Sequence, residues 1–410
     1  MDANYLLDWA NLLLRWLHVI VAIAWIGSSF YFVLLDNSLT PPTDPALLGK
    51  GVTGELWAVH GGGFYNPQKY AVGPKQLPAG HLHWFYWESY WTFISGFALF
   101  ALLYLWNANT FLVDPNVHVW SSSMAAAFAA LGFLVVGWIV YDLICRVLGR
   151  ERDGTIGGER RVAIALIVFI VFASWLACQL FAGRAAFLVI GAMLATAMTA
   201  NVAHWIIPGQ RKVVAAIAAG QPPDPIHGQR GKQRSVHNTY FTLPVLVLML
   251  SNHYAMLYQH AQNWLVLVGV MLIGALVRQF FVLRHKGARR WELVIVSVAL
   301  IIGLMVLVAP ERSGLEGAPA SAPTGADGKP ASQFAQVQAV ITQRCVMCHN
   351  AALASKGVQL HIPELIARNA AAIQQQAVVA RTMPLNNATQ ITDAERALIG
   401  RWFAAGAPTN

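Results

Sequence analysis

The chain has 410 residues, 56% hydrophobic and only 11% charged, against roughly a quarter charged in a soluble domain, which excludes an ordinary globular core and favours a membrane protein. The formal net charge of +9 would suit a nucleic-acid partner, but most Lys and Arg fall in short connections between apolar stretches, where the positive-inside bias puts them. No P-loop, dinucleotide fingerprint or zinc-finger spacing accompanies the charge, so no nucleic-acid partner is expected.

Crossing the hydrocarbon core takes about 20 apolar residues. Eight stretches qualify: 9–35, 86–107, 118–144, 162–181, 185–207, 238–258, 262–283 and 291–309. The first is too long for the apolar region of a signal peptide and reads as a retained helix. A short FAGR turn alone divides the fourth from the fifth. The connection 36–85 is unusually long, which points to function or disorder. It holds GELWAVHGGGFYNPQKY and ends HLHWFYWESYW, and that aromatic density predicts an ordered element packed under or into the bundle.

Orientation follows from the connections. Lys50, Lys69 and Lys75 lie in 36–85; Arg146, Arg150, Arg152, Arg160 and Arg161 in 145–161. Arg211, Lys212, Arg230, Lys232 and Arg234 lie in 208–237; Arg284, Lys286, Arg289 and Arg290 in 284–290. The alternate connections hold only Arg184. The basic connections are therefore expected in the cytoplasm, with both termini outside.

After Pro310 the composition changes to Gly, Ala, Pro and Ser, the mark of a flexible tether. The expected organisation is an all-α one: a membrane domain over 1–310 with about eight transmembrane helices, a linker over 311–332 and a small α-helical domain over 333–410. The spacing in 392–404 suits an amphipathic helix capped by Thr392.

The strongest motif is Cys345-Val346-Met347-Cys348-His349, the attachment signature of a c-type haem. Two thiols bind the haem covalently and His349 supplies the proximal nitrogen. A zinc site would need two further ligands, and none is nearby. The second axial ligand is expected to be Met383; His361 competes, and Met347 is poorly placed inside the attachment loop. The C-terminal domain is thus expected to be a single-haem cytochrome c on the outer side.

Ionisable groups inside a bilayer are functional candidates by default. His18, His118 and His253 fall towards the outer face; His60, His81, His83, His204 and His237 fall towards the inner one. His18 and His253 are the best candidates for ligands of a haem b, the alternative being neutral imidazoles bonded between helices. Glu88 opens the second helix as a general base, a proton carrier or an acid favoured by the helix dipole. Asp142 is another charge near a helix, and Arg278 is expected to snorkel to the inner face. Cys145 and Cys178 read as small buried residues.

RWLHVIVAIAWIGSSFYFVLLD, GELWAVHGGGFYNPQKY, HLHWFYWESYWTFISGFAL and the CVMCH domain together resemble the bacterial membrane-bound urate oxidases (urate hydroxylases of the PuuD type). HGGGFY is the most specific part. The first helix, with His18, Trp25 and Gly27, is also similar to haem-b-binding helices of the protoporphyrinogen oxidase HemJ family. The resemblance implies oxidation of urate to 5-hydroxyisourate in the bacterial inner membrane, with a periplasmic cytochrome domain. Electrons would pass to a downstream respiratory cytochrome or terminal oxidase, not to oxygen as peroxide. It also implies a site drawn from Glu55, His60, Lys75, His81, His83 and Glu88. There His60 or Glu88 would be the base and Lys75 would hold the anion. Competing readings are a quinol- or other small-donor-oxidising cytochrome and a non-catalytic conduit. A cytoplasmic site and an outer haem would lie across about 30 Å of hydrocarbon, which calls for an intermediate carrier.

Overall fold

The computed structural model describes residues 3–309 and 332–409, apart from 79, 116, 286, 352–357, 380 and 388. The expected tether therefore lies outside the described residues, Ser332 excepted. The first helix, α1 (Ala3–Ser38), runs well past the expected apolar stretch and is followed by α2 (Pro45–Lys50). Asp44 caps α2 by accepting a hydrogen bond from the Ala46 amide at 2.8 Å, and Pro45 supplies a preset φ at its start.

The rest of the long connection is one bent hairpin. Strand β1 (Val52–Glu55) pairs antiparallel with β4 (Gln68–Tyr70), and β2 (Ala58–His60) pairs with β3 (Gly63–Tyr65) inside it. The Leu56 amide bonds the Pro67 carbonyl at 3.2 Å and joins the two ladders. Gly61 and Gly62, both at positive φ, close the tip as a two-residue turn that side-chain-bearing residues enter at a cost. The element is ordered, as expected. Its tip stands out from the bundle, however, with Trp57, Val59 and Phe64 exposed.

Among the described residues, six helical spans are long and apolar enough to cross a membrane: Trp9–Ser38, Trp87–Leu105, Ser123–Leu148, Glu159–Leu180, Gly183–Ala218 and Asn263–His285. They correspond to α1; α3 (Trp87–Phe100) with a π-helical turn over Ala101–Leu105; α5 (Ser123–Leu148); α6 (Glu159–Leu180); α7 (Gly183–Asn201) continuing through a π turn into α8 (Ile207–Ala218); and α11 (Asn263–His285). The short α4 (Ala108–Phe111) follows α3. Two of the eight expected stretches differ. The first half of α9 (Pro225–Leu250) is polar, and its apolar half stops at Leu250, where the chain turns through a 3-10 segment (Ser251–His253) into α10 (Ala255–Tyr258). The last, α12 (Trp291–Leu307), has 17 residues. Residues 118–122 are not helical, because Ser122 caps α5 through the Ala125 amide at 3.1 Å.

The expected connection 208–237 is mostly helix. The π turn over Val202–Ile206 has a local cause: Pro208 has no N–H, and its ring would meet the carbonyl four residues back in an α-helix. Helix α7 forms the centre of the bundle, packed by α5, α6 and α9, with Ala185, Ala186, Phe187, Val189 and Ile190 fully buried. Its Ala-rich face lets neighbouring backbones approach. Helix α1 lies at the edge and packs chiefly on α3.

After the tether, α13 (Gln333–Arg344), α14 (Pro363–Arg368), α15 (Ala370–Ile373) and α16 (Asp393–Ala404) form a unit with its own core of Phe334, Val337, Ile341, Ile366, Ile399 and Trp402. Thr392 and Glu395 form a capping box at the start of α16. The unit meets the bundle at the end away from the basic connections. The Gln259 side-chain amide donates to the Arg381 carbonyl, and the Leu385–Asn387 turn packs on α4.

Candidate functional site

In the C-terminal unit, the amides of Cys348 and His349 both bond the Cys345 carbonyl, at 3.2 and 3.0 Å. This single turn gathers two free thiols and the imidazole. Burial pushes the Cys345 thiol up to about 11, so it is protonated near neutrality. His349 Nδ1 lies 3.1 Å from the Val358 carbonyl. A carbonyl only accepts, so Nδ1 carries the proton and Nε2 keeps its lone pair, the state an iron ligand needs. Met347 and His361 are exposed, while Met383 is half-buried. The Met383 backbone is fixed by the Gln376 carbonyl at 3.0 Å and by Arg396, which donates to its own carbonyl at 2.8 Å. Two thiols, an imidazole with a free Nε2 and the Met383 thioether are donors of the kind that would hold a covalently attached haem.

His18 sits between α1 and α3. Its Nδ1 is 3.1 Å from both the Thr92 carbonyl and Ser95 Oγ, whose own proton goes to the Trp91 carbonyl at 2.6 Å. Both neighbours act as acceptors, so Nδ1 is again the protonated nitrogen and Nε2 keeps a free lone pair. The ring lies on Gly96, where a Cβ would come within 2.8 Å of Cε1. His253 is exposed in the 3-10 turn beside Asn252, which Tyr104 bonds at 2.9 Å. Tyr104 stands eight residues beyond Gly96, or about 12 Å at 1.5 Å per residue. The structure thus sets His18 against the middle of α3 and His253 in a turn beyond the end of that helix, and the pair stays a proposal. Among the described residues, no group of three or more His, Cys, Asp or Glu side chains is placed to hold a metal ion.

The residues expected around the substrate are scattered. His60 is exposed beside the hairpin tip. Lys75 donates to the Gly49 carbonyl at 2.8 Å, and Glu55 accepts from Asn66 at 3.0 Å. His81 and His83 are exposed. Glu88 lies half-buried in the first turn of α3, where the helix dipole favours an acid. No hydrogen bond or ion pair joins His60, Lys75 and Glu88. Arg278 does not snorkel: it is buried, with its guanidinium 5.8 Å over the Phe30 ring.

What the structure does assemble is a polar network between α5, the π turn before α8, and α9. Arg146 Nε and Arg234 Nη2 bond the two oxygens of Asp142 at 2.6 and 2.8 Å, and the Trp205 indole donates to it at 2.7 Å. Asn201 donates to the Tyr141 hydroxyl at 2.8 Å, and that hydroxyl lies 2.9 Å from His237 Nδ1. A phenol that accepts one proton gives its own to the imidazole, so Nδ1 is the acceptor and Nε2–H points towards Glu159, 3.8 Å away. Asn201 also bonds Asn238 at 2.9 Å. Sequence reading missed this group because Arg234 and His237 were assigned to a connection. The signal was there in the helical spacing of Arg230, Arg234, His237 and Asn238, which puts a polar stripe on one face of α9.

These features define a mostly helical protein built around long apolar helices, with a small helical unit carrying a CxxCH turn. The chain matches the Urate oxidase N-terminal family over residues 4–309 and belongs to that family. The family suggests an oxidoreductase acting on urate. A comparison with curated proteins found no match, and one with solved structures found none either.

Proposed function

We propose that this protein is a membrane-bound urate oxidase that converts urate and water to 5-hydroxyisourate, two protons and two electrons. The electrons leave through the C-terminal unit to a respiratory cytochrome or terminal oxidase. The observation that carries the reading is the family match over the whole helical bundle, joined in one chain to a CxxCH unit that touches the bundle through the segment around Met383. A haem c held by Cys345, Cys348, His349 and Met383 would supply a one-electron carrier; a haem b on His18 would supply another within the bundle.

The proposed topology has the basic connections in the cytoplasm and both termini in the periplasm of a bacterial inner membrane, which the basic residues support. The chain's own residues then divide the work. His349 and His18 each hold one proton on Nδ1 and keep Nε2 for iron. Glu88 and the Tyr141–His237 pair are the candidates to take the protons that urate and water release. His60 and Lys75 keep their proposed roles only if the hairpin folds onto the bundle when urate binds. The test is anaerobic urate consumption by membranes holding this protein. Consumption should need an added one-electron acceptor, with two acceptor equivalents reduced per urate. Consumption that needs oxygen and yields peroxide would contradict the reading.

A further inference from the structure

At the basic end of the bundle lies a cavity of about 190 Å³, walled by Cys145, Arg146, Arg150, Trp205, Arg230 and Arg234. It exceeds the ~150 Å³ space that accepts a benzene-sized molecule. Four guanidiniums line it, with the Asp142 carboxylate among them and the Glu159 carboxylate behind Gln233, whose side-chain amide it accepts from at 3.1 Å. The Asp142 carboxylate is already committed to Arg146, Arg234 and the Trp205 indole. Three of the guanidiniums, those of Arg146, Arg230 and Arg234, lie over the Trp205 ring at 4.9, 5.4 and 5.4 Å. Arg150 and Arg230 have no ion pair among the described residues.

The decisive feature is Arg234. It is 3% exposed, and its Nη1 has no hydrogen-bond partner. A buried charged donor without an acceptor costs more than a neutral one. The site as built lacks an acceptor, and the cavity beside it is where one would sit.

The loop that roofs the cavity is ordered. Arg150 bridges Ile156, the Gly157 amide bonds the Gly149 carbonyl at 3.0 Å, and the Ile156 amide bonds Gln229 at 3.2 Å. On the inner side, Cys145 Sγ lies 3.7 Å from His237, so the cavity abuts the Tyr141–His237 pair.

We infer that this cavity binds a small flat oxyanion, and, on the urate reading above, that it is where the urate anion docks. Arg234 Nη1, Arg150 and Arg230 take the ligand's oxygens, and Asp142 holds Arg146 and Arg234 in place. The ring nitrogens or carbonyls of such a ligand would lie one residue from His237, a short path for a departing proton.

The test measures urate affinity by equilibrium dialysis on the full-length holoprotein, kept reduced so that urate cannot turn over. Arg150→Gln and Arg230→Gln leave the Asp142 pairs intact. Each should weaken urate binding at least tenfold and raise KM in parallel. Unchanged affinity in both variants, while the wild type binds and oxidises urate, would overturn the cavity and leave the function standing. A wild type that neither binds nor oxidises urate would remove the urate reading and this inference with it. The same arginines could instead hold a lipid phosphate. In that case the variants would lose phosphatidylglycerol from the purified protein and keep their urate affinity, which also overturns the proposal.

Discussion

Asp142 and Arg234 are paired charges buried in the bundle, at 5% and 3% exposure. Removing one member of such a pair leaves the other buried and uncompensated, at a cost of about 3–5 kcal/mol. Asp142→Asn should therefore lower the thermal midpoint of the purified protein sharply, while Arg146→Gln, on a largely exposed partner, should barely move it. Equal effects from the two would contradict the buried-pair assignment. His18 makes a second residue-scale prediction. His18→Ala should abolish any b-type haem band, and Gly96→Ala should reduce it, because the added methyl would displace the imidazole from Thr92 and Ser95. An unchanged band in His18→Ala would exclude His18 as a ligand. Residue chemistry was legible where a motif is local. CVMCH and the Thr392 cap can be read within a few positions, and the structure forms the turn and the cap. The Asp142–Arg234 pair joins residues from two helices far apart in the chain, so no local pattern announces it.

At the scale of elements, helix interiors were legible and helix ends were not. Apolar runs mark the part of a helix that sits in hydrocarbon, while α8 and α9 carry on for several turns in polar sequence. Polar helical turns look like a connection when only hydropathy is read. The hairpin was legible in principle: Gly61-Gly62 between Val59-His60 and Phe64-Tyr65 is a two-residue turn signal. The aromatic density around it suggested burial instead. Helix α16 makes a pH prediction. Burial works to raise the Glu395 carboxyl, but hydrogen bonds from Thr392 and Arg344 outweigh it and hold the group below the usual 4.5. A depressed folded value means that the stabilisation is present above pH 4.5 and is lost as pH falls through the folded value. Hydrogen exchange over 393–404 in the full-length protein should speed up as pH drops below 4.5, relative to the intrinsic rate. Glu395→Gln should flatten that dependence. A variant that keeps the wild-type pH profile would place the acid sensitivity elsewhere.

At the scale of the molecule, two ends of one bundle carry different chemistry. The basic end holds the Asp142 network and its cavity, and the other end meets the segment around Met383. His18 lies between them, level with the middle of α3. On the proposed reading, a haem b there would be the intermediate carrier that a hydrocarbon thickness of about 30 Å calls for. The contact between Gln259 and Arg381 makes its own prediction. Gln259→Ala and a bulky replacement of Asn387 should slow haem c reduction by urate without changing urate affinity.

The most direct measurement is a reduced-minus-oxidised spectrum of the purified full-length protein after anaerobic addition of urate. The expected result is full reduction of the c-type band by urate, with 5-hydroxyisourate as product. Reduction by dithionite or a quinol but not by urate would contradict the urate assignment and leave a membrane cytochrome with another donor.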